Sequence, residues 1–375
     1  MIPEQVFVET LLAFLDPIRS YLDDPSVSEI MINGPDKVYV EKKGKLERID
    51  ARFPNDEALM AALRNVAQYT GKQVDEFHPI LEARLPDGSR VQAVVPPASF
   101  GGATVAIRRF SRALFAIERL IDMGALTTDA ASTLGALVVA KLNVIVAGGT
   151  GSGKTSLLNT LSRYVPEAER IVVIEDSKEV QLQQEHVVYF EARPPDAKGR
   201  GAVSIRDLFR ATLRLRPDRI VIGEIRGGEA LDIIQAMVSG HGGCMGTLHA
   251  TYPRDTLTRL ETMALMSDVE IPLPALRLQI ASGINIIVQV GRFPDGSRKV
   301  THITEILGFD LATAKYELAD IFVREFRGLD PNGNAITELV STGYLPRCVG
   351  QLHEHGVDLP PRLYEIAERS DRGRS

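Results

Sequence analysis

The sequence lacks the features that mark several classes of protein. Its two cysteines, Cys244 and Cys348, lie far apart, which argues against a disulfide framework and a cysteine-based metal cluster and favours a reducing compartment. No stretch reaches the ~18 uninterrupted apolar residues that a membrane span requires. The best candidate, 134–147, is interrupted by Lys141 and Asn143. We therefore expect no transmembrane segment.

An excess of positive charge is also missing. Lysine and arginine total 43 against 49 aspartate and glutamate, a net charge of -6, so contact with nucleic acid would require a local basic patch. Glu4 and Glu9 stand where a secretion leader would carry positive charge. We expect a cytoplasmic protein without direct nucleic-acid contact. The composition, 44% hydrophobic and 25% charged, is that of a soluble globular protein.

The texture of the sequence changes between residues 110 and 127. Before this point, short apolar runs separated by turn signals predict an α+β domain with a largely antiparallel sheet. Asn55 is a predicted N-cap for a helix that reaches Tyr69. Strands are predicted at 28–32, 38–40, 46–49, 81–85, 91–95 and 103–107.

After a helical connector at 113–123, β-branched runs alternate with helical segments. Runs of this kind are typical of strands buried on both faces of a parallel sheet, and they occur at 142–147, 171–174, 220–222 and 284–290. We therefore predict an α/β fold. Its expected divisions are an N-terminal α+β (PAS-like) domain at 1–110, a linker at 111–127, a core at 128–330 and a C-terminal helical appendage at 331–375.

A glycine-rich segment between a predicted buried strand and a predicted helix carries the strongest chemical signal. It matches G-x-x-x-x-G-K-[ST], in which backbone N–H groups and a helix N-terminus surround phosphate oxygens. Lys154 is expected to reach the β- and γ-phosphates of ATP, and the Thr155 hydroxyl to bind Mg²⁺. The predicted nucleotide-binding residues are Gly148, Gly149, Thr150, Gly151, Ser152, Gly153, Lys154, Thr155 and Ser156.

Hydrolysis also requires a carboxylate, and acidic residues end two of the predicted strands. Glu224 follows 219–223, and Glu175 ends the run that begins at Ile171. Ligands of parallel sheets collect at such strand ends. Glu224 is assigned to positioning the attacking water and to contacting Mg²⁺ through water. Glu175 is assigned as the general base, as a partner of Glu224 in that role, or as a second candidate metal ligand. The sequence does not separate the two roles.

Two histidines lie in a glycine-rich segment downstream of Glu224. The spacing of His241, Cys244 and His249 fits none of the common zinc patterns. A core histidine and a segment that senses the γ-phosphate are both open interpretations, and the position after the Glu224 strand favours the second.

Taken together, these motifs resemble those of the secretion traffic ATPases, and most closely the CpaF/TadA-type ATPases of the Tad (Flp) pilus. The similarity covers roughly residues 17–345. It includes the Walker A loop at 148–156, an acidic "Asp box" at 173–176, a Walker B segment at 216–227, a "His box" at 240–250 and three N-terminal motifs at 31–35, 84–90 and 107–110.

The resemblance implies a RecA-like P-loop NTPase core with a smaller N-terminal domain, assembled as a homohexameric ring. It implies ATP and Mg²⁺ at the crevice between the domains. Arginines of the N-terminal domain are then expected to reach the phosphates, and the matching positions are Arg84, Arg90, Arg108 and Arg109.

The expected function is a cytoplasmic ATPase, peripherally associated with the inner membrane, that drives assembly or retraction of a Tad/type IV-like pilus through a platform protein. The alternative is a type IV secretion ATPase that translocates DNA or protein. A nucleic-acid motor is the rival from another class, and the net charge of -6 argues against it. A nucleic-acid groove is likewise unsupported, because aromatic residues do not interleave the arginines.

Overall fold

The structure is a computed structural model, and it describes residues 4–42, 44–110, 115–195, 199–331 and 333–372. Internal contacts divide the chain into two compact units, Met1–Ala113 and Leu114–Ser375. Within the described ranges, no helix combines the length and the apolar character needed to cross a membrane. Residues 111–114 of the predicted linker 111–127 lie outside the described residues.

The N-terminal unit is an antiparallel sheet with helices on one face. Its six strands lie in the order β3-β2-β1-β6-β5-β4. The elements are α1 (Glu4–Phe14), α2 (Asp16–Asp23), β1 (Val27–Asn33), β2 (Val38–Lys42), β3 (Lys45–Ile49), α3 (Asp56–Tyr69), β4 (Ile80–Arg84), β5 (Arg90–Val94) and β6 (Thr104–Arg108).

Local sequence explains the elements of this unit. The Asn55 side chain accepts a hydrogen bond from Ala58 N at 2.8 Å and begins α3, as predicted. Along β5, Val91 and Ala93 are buried while Gln92 is exposed, so alternate residues enter the core. The other residues of this strand, Arg90, Gln92 and Val94, face away from that core. The six predicted strands are confirmed within one to two residues at each end.

The C-terminal unit is built on a nine-stranded mixed sheet. Its elements are α4 (Ile117–Asp122), α5 (Thr128–Val139), β7 (Val144–Gly148), α6 (Lys154–Ser162), β8 (Ile171–Glu175), β9 (Val187–Glu191), α7 (Ile205–Thr212), β10 (Arg219–Ile222), α8 (Glu229–Val238), β11 (Met245–Leu248), α9 (Pro253–Ala264), α10 (Leu273–Gly283), β12 (Ile286–Arg292), β13 (Arg298–Asp310), β14 (Lys315–Leu329), β15 (Ala335–Ser341), α11 (Val349–Glu354) and α12 (Pro361–Arg372).

The strand order is β15-β14-β13-β12-β7-β11-β10-β8-β9. The pairs from β12 to β9 are parallel, and the pairs from β12 to β15 are antiparallel. Every residue of β7 is buried because the two faces contribute to different cores. Val144 and Val146 pack in the core that includes α5 and α6, whereas Ile145 and Ala147 pack in the core that includes α8 and α9. The predicted α/β fold with a doubly covered parallel sheet is confirmed.

The sequence patterns missed several elements. β11 contains Gly246 and has four residues, so its signal was weak, yet it lies between β7 and β10. The segment after residue 330, predicted as a helical appendage, begins instead with β15 at the edge of the sheet. β15 pairs with β14, and the helices α11 and α12 follow it.

These two C-terminal helices pack against the core. Leu352, Leu359 and Leu363 are buried in the same cluster as residues of α5. The Gln351 amide donates to Ala140 O, at the end of α5, at 2.9 Å. The helices are therefore an integral layer of the C-terminal unit.

Candidate active site

The glycine-rich loop connects the end of β7 to the start of α6. Gly153 adopts a left-handed φ of +93° just before α6 begins at Lys154. A Cβ on Gly148 would lie 2.5 Å from the backbone oxygen of Val290, on the paired strand β12, so that position excludes larger residues. The loop therefore brings backbone N–H groups and the positive end of α6 to one place, where an anion binds favourably.

Lys154 is buried beneath this loop. Its Nζ donates to Gly148 O at 3.1 Å and to Gly149 O at 3.0 Å. The ring nitrogens of His249, which follows β11, lie 3.3 and 3.4 Å from the same Nζ. These contacts fix the ammonium group at the glycine-rich loop, and its reach to the β- and γ-phosphates stays a prediction.

Glu224 follows β10 and contacts two basic residues. Its Oε1 lies 3.0 Å from His249 Nε2, and its Oε2 lies 2.6 Å from Arg226 Nη2. Burial raises the pKa of the Glu224 carboxyl, but Arg226, His249 and Lys154 outweigh burial, and the net pKa lies below its usual value. The carboxylate is therefore ionised at neutral pH.

His249 stands between Lys154 and Glu224. Burial and the neighbouring charge of Lys154 lower the pKa of its imidazole. A neutral ring with its proton on Nε2 donates to Glu224, and its Nδ1 then faces the Lys154 ammonium. His249 thus connects Lys154 to the strand-end carboxylate of Glu224, and its role as a γ-phosphate sensor stays a prediction.

Glu175 has a different environment from Glu224. It is 2% exposed, and its Oε1 accepts hydrogen bonds from Glu179 N at 2.9 Å and Val180 N at 2.8 Å. Burial raises the pKa of Glu175 to about 7. The side chain therefore holds the loop after β8 in place.

That loop carries an acidic residue that sequence reasoning missed. Glu179 Oε2 lies 3.4 Å from Thr155 Oγ1, which places a carboxylate beside the predicted metal-binding hydroxyl. The available signal was the short acidic segment that follows the strand-end acid Glu175, in which Glu179 lies. Hard oxygen donors of this kind fit Mg²⁺.

The side chains at this edge do not by themselves form a complete metal site. Among the described residues, no group of three or more histidine, cysteine, aspartate or glutamate side chains is arranged to hold a metal ion. Mg²⁺ commonly takes one or two protein ligands and completes its shell with substrate phosphates and water. Thr155, Glu179 and Glu224 therefore suit a cation that arrives together with a nucleotide.

Two further arginines approach the phosphate loop from the hairpin between β12 and β13. Arg298 Nε donates to Gly151 O at 2.8 Å, and Arg292 Nη1 lies 3.2 Å from the position a Cβ on Gly151 would take. They reach the loop because β12 pairs with β7, with Val290 opposite Gly148. No pattern in the sequence indicated this contact, since it depends on long-range pairing.

Three of the four predicted N-terminal arginines form a row across the sheet. Arg84 is paired with Arg90 across β4 and β5, and Arg90 is paired with Arg108 across β5 and β6. Directly opposed residues project from the same face. The row is a concentration of positive charge suited to an anion.

Arg109 does not belong to this row. Its Nη1 donates to Asp24 O, and also to Val27 O at 3.2 Å, so the side chain holds the turn between α2 and β1. Arg108 is the last residue of β6, and side chains of consecutive residues in an extended chain point to opposite faces. The expectation that Arg109 reaches phosphate is therefore not supported.

His241 likewise lies away from the phosphate loop. It precedes β11, whereas the loop and His249 follow the other ends of the parallel strands β7 and β11. Cys244 Sγ donates to His241 O at 3.1 Å. His241 helps line a cavity of about 180 Å³ with Lys141 and Asp218. Of the two predicted histidines, the structure brings only His249 to the site.

A charged cluster lies at the same end of the parallel strands as His241. Arg219, whose side chain is fully buried, donates from Nε to Glu169 Oε2 at 2.5 Å and from Nη1 to Val138 O at 2.7 Å. Lys141 Nζ lies 3.1 Å from Glu169 Oε1. Arg219 therefore caps the end of α5 at the edge remote from the phosphate loop.

Comparisons with known proteins agree with this geometry. The family model described as type II/IV secretion system protein matches residues 13–305. The type IV secretion system protein VirB11 of Bartonella quintana is 32% identical, over 79% of this chain and 93% of its own. The type IV secretion system protein PtlH of Bordetella pertussis is 33% identical, over 74% of this chain and 89% of its own.

The fold has a solved counterpart. The X-ray structure of the Legionella pneumophila ATPase DotB matches with a TM-score of 0.56 and 20% identity, over 80% of this chain and 82% of that one. At this identity the match concerns the fold. The sequence matches carry the assignment: the chain belongs to the type II/IV secretion system protein family and is an ATPase of that family.

Proposed function

We propose that this ATPase hydrolyses ATP at the loop 148–156 with Glu224 as the group that orients the attacking water. The observation that supports this role is the contact series from Lys154 through His249 to Glu224. Lys154 is placed to bind terminal phosphate oxygens, and the ionised Glu224 carboxylate can accept a hydrogen bond from water. His249 would respond to the bound phosphate because it contacts both Lys154 and Glu224.

The two other acidic residues take different roles in this proposal. Glu179, beside the Thr155 hydroxyl, would hold Mg²⁺ together with Thr155, and Glu224 would contact it through water. The cation would neutralise charge on the β- and γ-phosphates. Glu175, bonded to the backbone of Glu179 and Val180, would position this loop.

The N-terminal unit would complete the site. Arg84, Arg90 and Arg108 form a row of positive charge, and phosphoryl transfer requires positive charge on the equatorial oxygens. We propose that the connector 110–123, of which residues 111–114 lie outside the described residues, is a hinge, and that the domain 1–110 closes over the nucleotide bound by the core 128–330. We further propose a cytoplasmic homohexamer that docks on an inner-membrane platform.

Two machines are candidates for the motor. The first is a type IV secretion system moving DNA or protein, favoured because VirB11 and PtlH, named as type IV secretion system proteins, align over about three quarters of the chain or more. The second is a Tad pilus, favoured by the CpaF-like motifs at 31–35, 84–90 and 107–110.

ATP turnover by purified protein tests the catalytic assignment. Lys154→Ala and Glu224→Gln are expected to lower kcat by about 100-fold or more, because one removes a phosphate contact and the other the water-orienting charge. Lys315→Ala, an exposed lysine on β14, is the matched control. Wild-type turnover in Lys154→Ala would refute the site.

A deletion strain complemented with Lys154→Ala distinguishes the two machines. Loss of substrate transfer with intact surface pili supports type IV secretion, whereas loss of pili supports the Tad assignment. Mass photometry with Mg-ATP tests the hexamer.

Closure of the N-terminal domain over the nucleotide predicts that replacing Arg90 and Arg108 together lowers ATP turnover about tenfold or more. Unchanged turnover in this double variant would contradict domain closure.

A further inference from the structure

Arg226 joins the acidic ends of two neighbouring strands at the phosphate site. Its Nη1 lies 2.5 Å from Asp176 Oδ2, and its Nη2 lies 2.6 Å from Glu224 Oε2. Asp176 follows β8 and Glu224 follows β10, and these strands pair in parallel. We infer that Arg226 is a positioning residue for ATP hydrolysis: it holds both carboxylates until a divalent cation arriving with the nucleotide displaces it. This inference rests on the proposed roles of Glu224 and Mg²⁺.

The first argument concerns charge at this edge of the sheet. Asp176 lies close to two further acidic residues, Glu175 and Glu179, and carboxylates held together repel one another. A guanidinium group is always charged and presents two parallel donors, which makes it suited to bridging two carboxylates. In the nucleotide-free protein, Arg226 supplies the positive charge that Asp176 and Glu224 share.

The second argument concerns competition for the same oxygens. Divalent cations such as Mg²⁺ bind carboxylate oxygens. The oxygens that contact Arg226 are of this type, and Glu179 with Thr155 lies at the same end of the sheet. A cation held by Thr155 and Glu179 and contacting Glu224 through water competes with the guanidinium for that carboxylate and repels it. Entry of the metal nucleotide therefore weakens at least one of the two Arg226 ion pairs.

The third argument concerns what can move. The backbone N–H groups of Arg226 and Gly227 donate to Glu229 Oε1 at 2.8 and 2.9 Å, so the main chain is fixed at the start of α8. The Arg226 side chain, in contrast, is 50% exposed. Its release therefore requires rotation of a side chain into solvent and leaves the helix in place.

Manganese binding to the nucleotide-free, full-length protein tests this inference without depending on turnover. The variants are Arg226→Gln, which removes the charge, and Arg226→Lys, which retains the charge but loses the two-pronged geometry. Arg210→Gln is the matched control, because Arg210 is 54% exposed and pairs with Asp232, outside the phosphate site. Free Mn²⁺ is measured by electron paramagnetic resonance, and folding by circular dichroism.

Arg226→Gln is expected to bind Mn²⁺ about three- to tenfold more tightly than wild type, because the competing charge is gone. Arg226→Lys should lie between the two, and Arg210→Gln should match wild type. In turnover assays, kcat of Arg226→Gln should fall about tenfold while KM for Mg-ATP changes less than about twofold, because Arg226 no longer sets the position of Glu224 before the cation enters and each turnover must order the carboxylate anew.

Unchanged Mn²⁺ affinity in both Arg226 variants would overturn the inference. An equal gain in Arg210→Gln would do so as well, because the effect would then be one of net charge. If Arg226→Gln does not fold, the Mn²⁺ affinity of Arg226→Lys decides the question. Absence of ATP turnover in the wild type would instead refute the proposed function, and the Mn²⁺ comparison separates these two failures.

Discussion

Two arginines at opposite ends of β10 show how the same residue type serves different purposes. Arg219, at the beginning of the strand, is fully buried, and its donors are bonded to Glu169 and to the last carbonyls of α5. Arg226, just past the other end, is half exposed and bridges Asp176 and Glu224. The first arrangement cannot change without unfolding. The second can, which suits an edge where a charged ligand comes and goes.

Removing the buried arginine should produce the largest effect. Arg219→Met leaves Glu169 with Lys141 as its remaining described ion pair and removes the cap of α5. The free energy of unfolding is expected to fall by about 3 kcal/mol or more, the usual cost of breaking a buried ion pair. Urea denaturation measures it.

Arg226→Met is the control for this measurement. The Arg226 side chain is half exposed, and Glu224 keeps its contact with His249, so the free energy of unfolding should change by less than about 1 kcal/mol. Equal destabilisation by the two substitutions would contradict the contrast between the two ends of the strand.

The buried side chain of Glu175 extends the comparison to the dependence of folding stability on pH. Its pKa is about 7 in the folded protein against an ordinary value of 4.5, so between these pH values the folded state retains a proton that the unfolded state has lost. Stability from this group is therefore present at low pH and is lost as the pH rises towards 7.

Glu175→Gln, which is neutral at every pH, removes this dependence. Its stability relative to wild type should increase by up to about 3 kcal/mol between pH 4 and pH 8, the value of the pKa difference. Melting temperatures of both proteins across this range provide the measurement. A constant difference between the two proteins would show that Glu175 does not titrate in this interval.

The smallest expected effect is the difference in kcat between substitutions of the two histidines. His249→Ala should lower kcat about tenfold, because His249 contacts Lys154 and Glu224. His241→Ala should change kcat less than about twofold, because His241 lies at the remote edge. Turnover of both variants under saturating Mg-ATP is the test, and a larger loss in His241→Ala would reverse the assignment.

Features that depend on neighbouring residues were predictable from the sequence. The phosphate loop, the Asn55 cap of α3 and the β-branched strands all carry local signals, and each appears in the structure at the expected place. The strand-end position of Glu224 was predictable for the same reason.

Features that depend on long-range pairing were not predictable. His241 and His249 look alike in the sequence, but the four residues of β11 separate them and carry them to opposite edges of the sheet. Arg298 meets Gly151 because β12 pairs with β7. Arg108 and Arg109 point to opposite faces, which a motif containing both cannot reveal.

The packing of the last two helices has a practical consequence for fragments of this protein. A truncated version that stops after β15 would strip Leu352, Leu359 and Leu363 from the interior and leave the carbonyl of Ala140 without its amide donor. Such a fragment would expose an apolar surface to water and would therefore self-associate. Shortened versions intended for crystallisation or assays should therefore retain residues through 372, and affinity tags belong beyond that position.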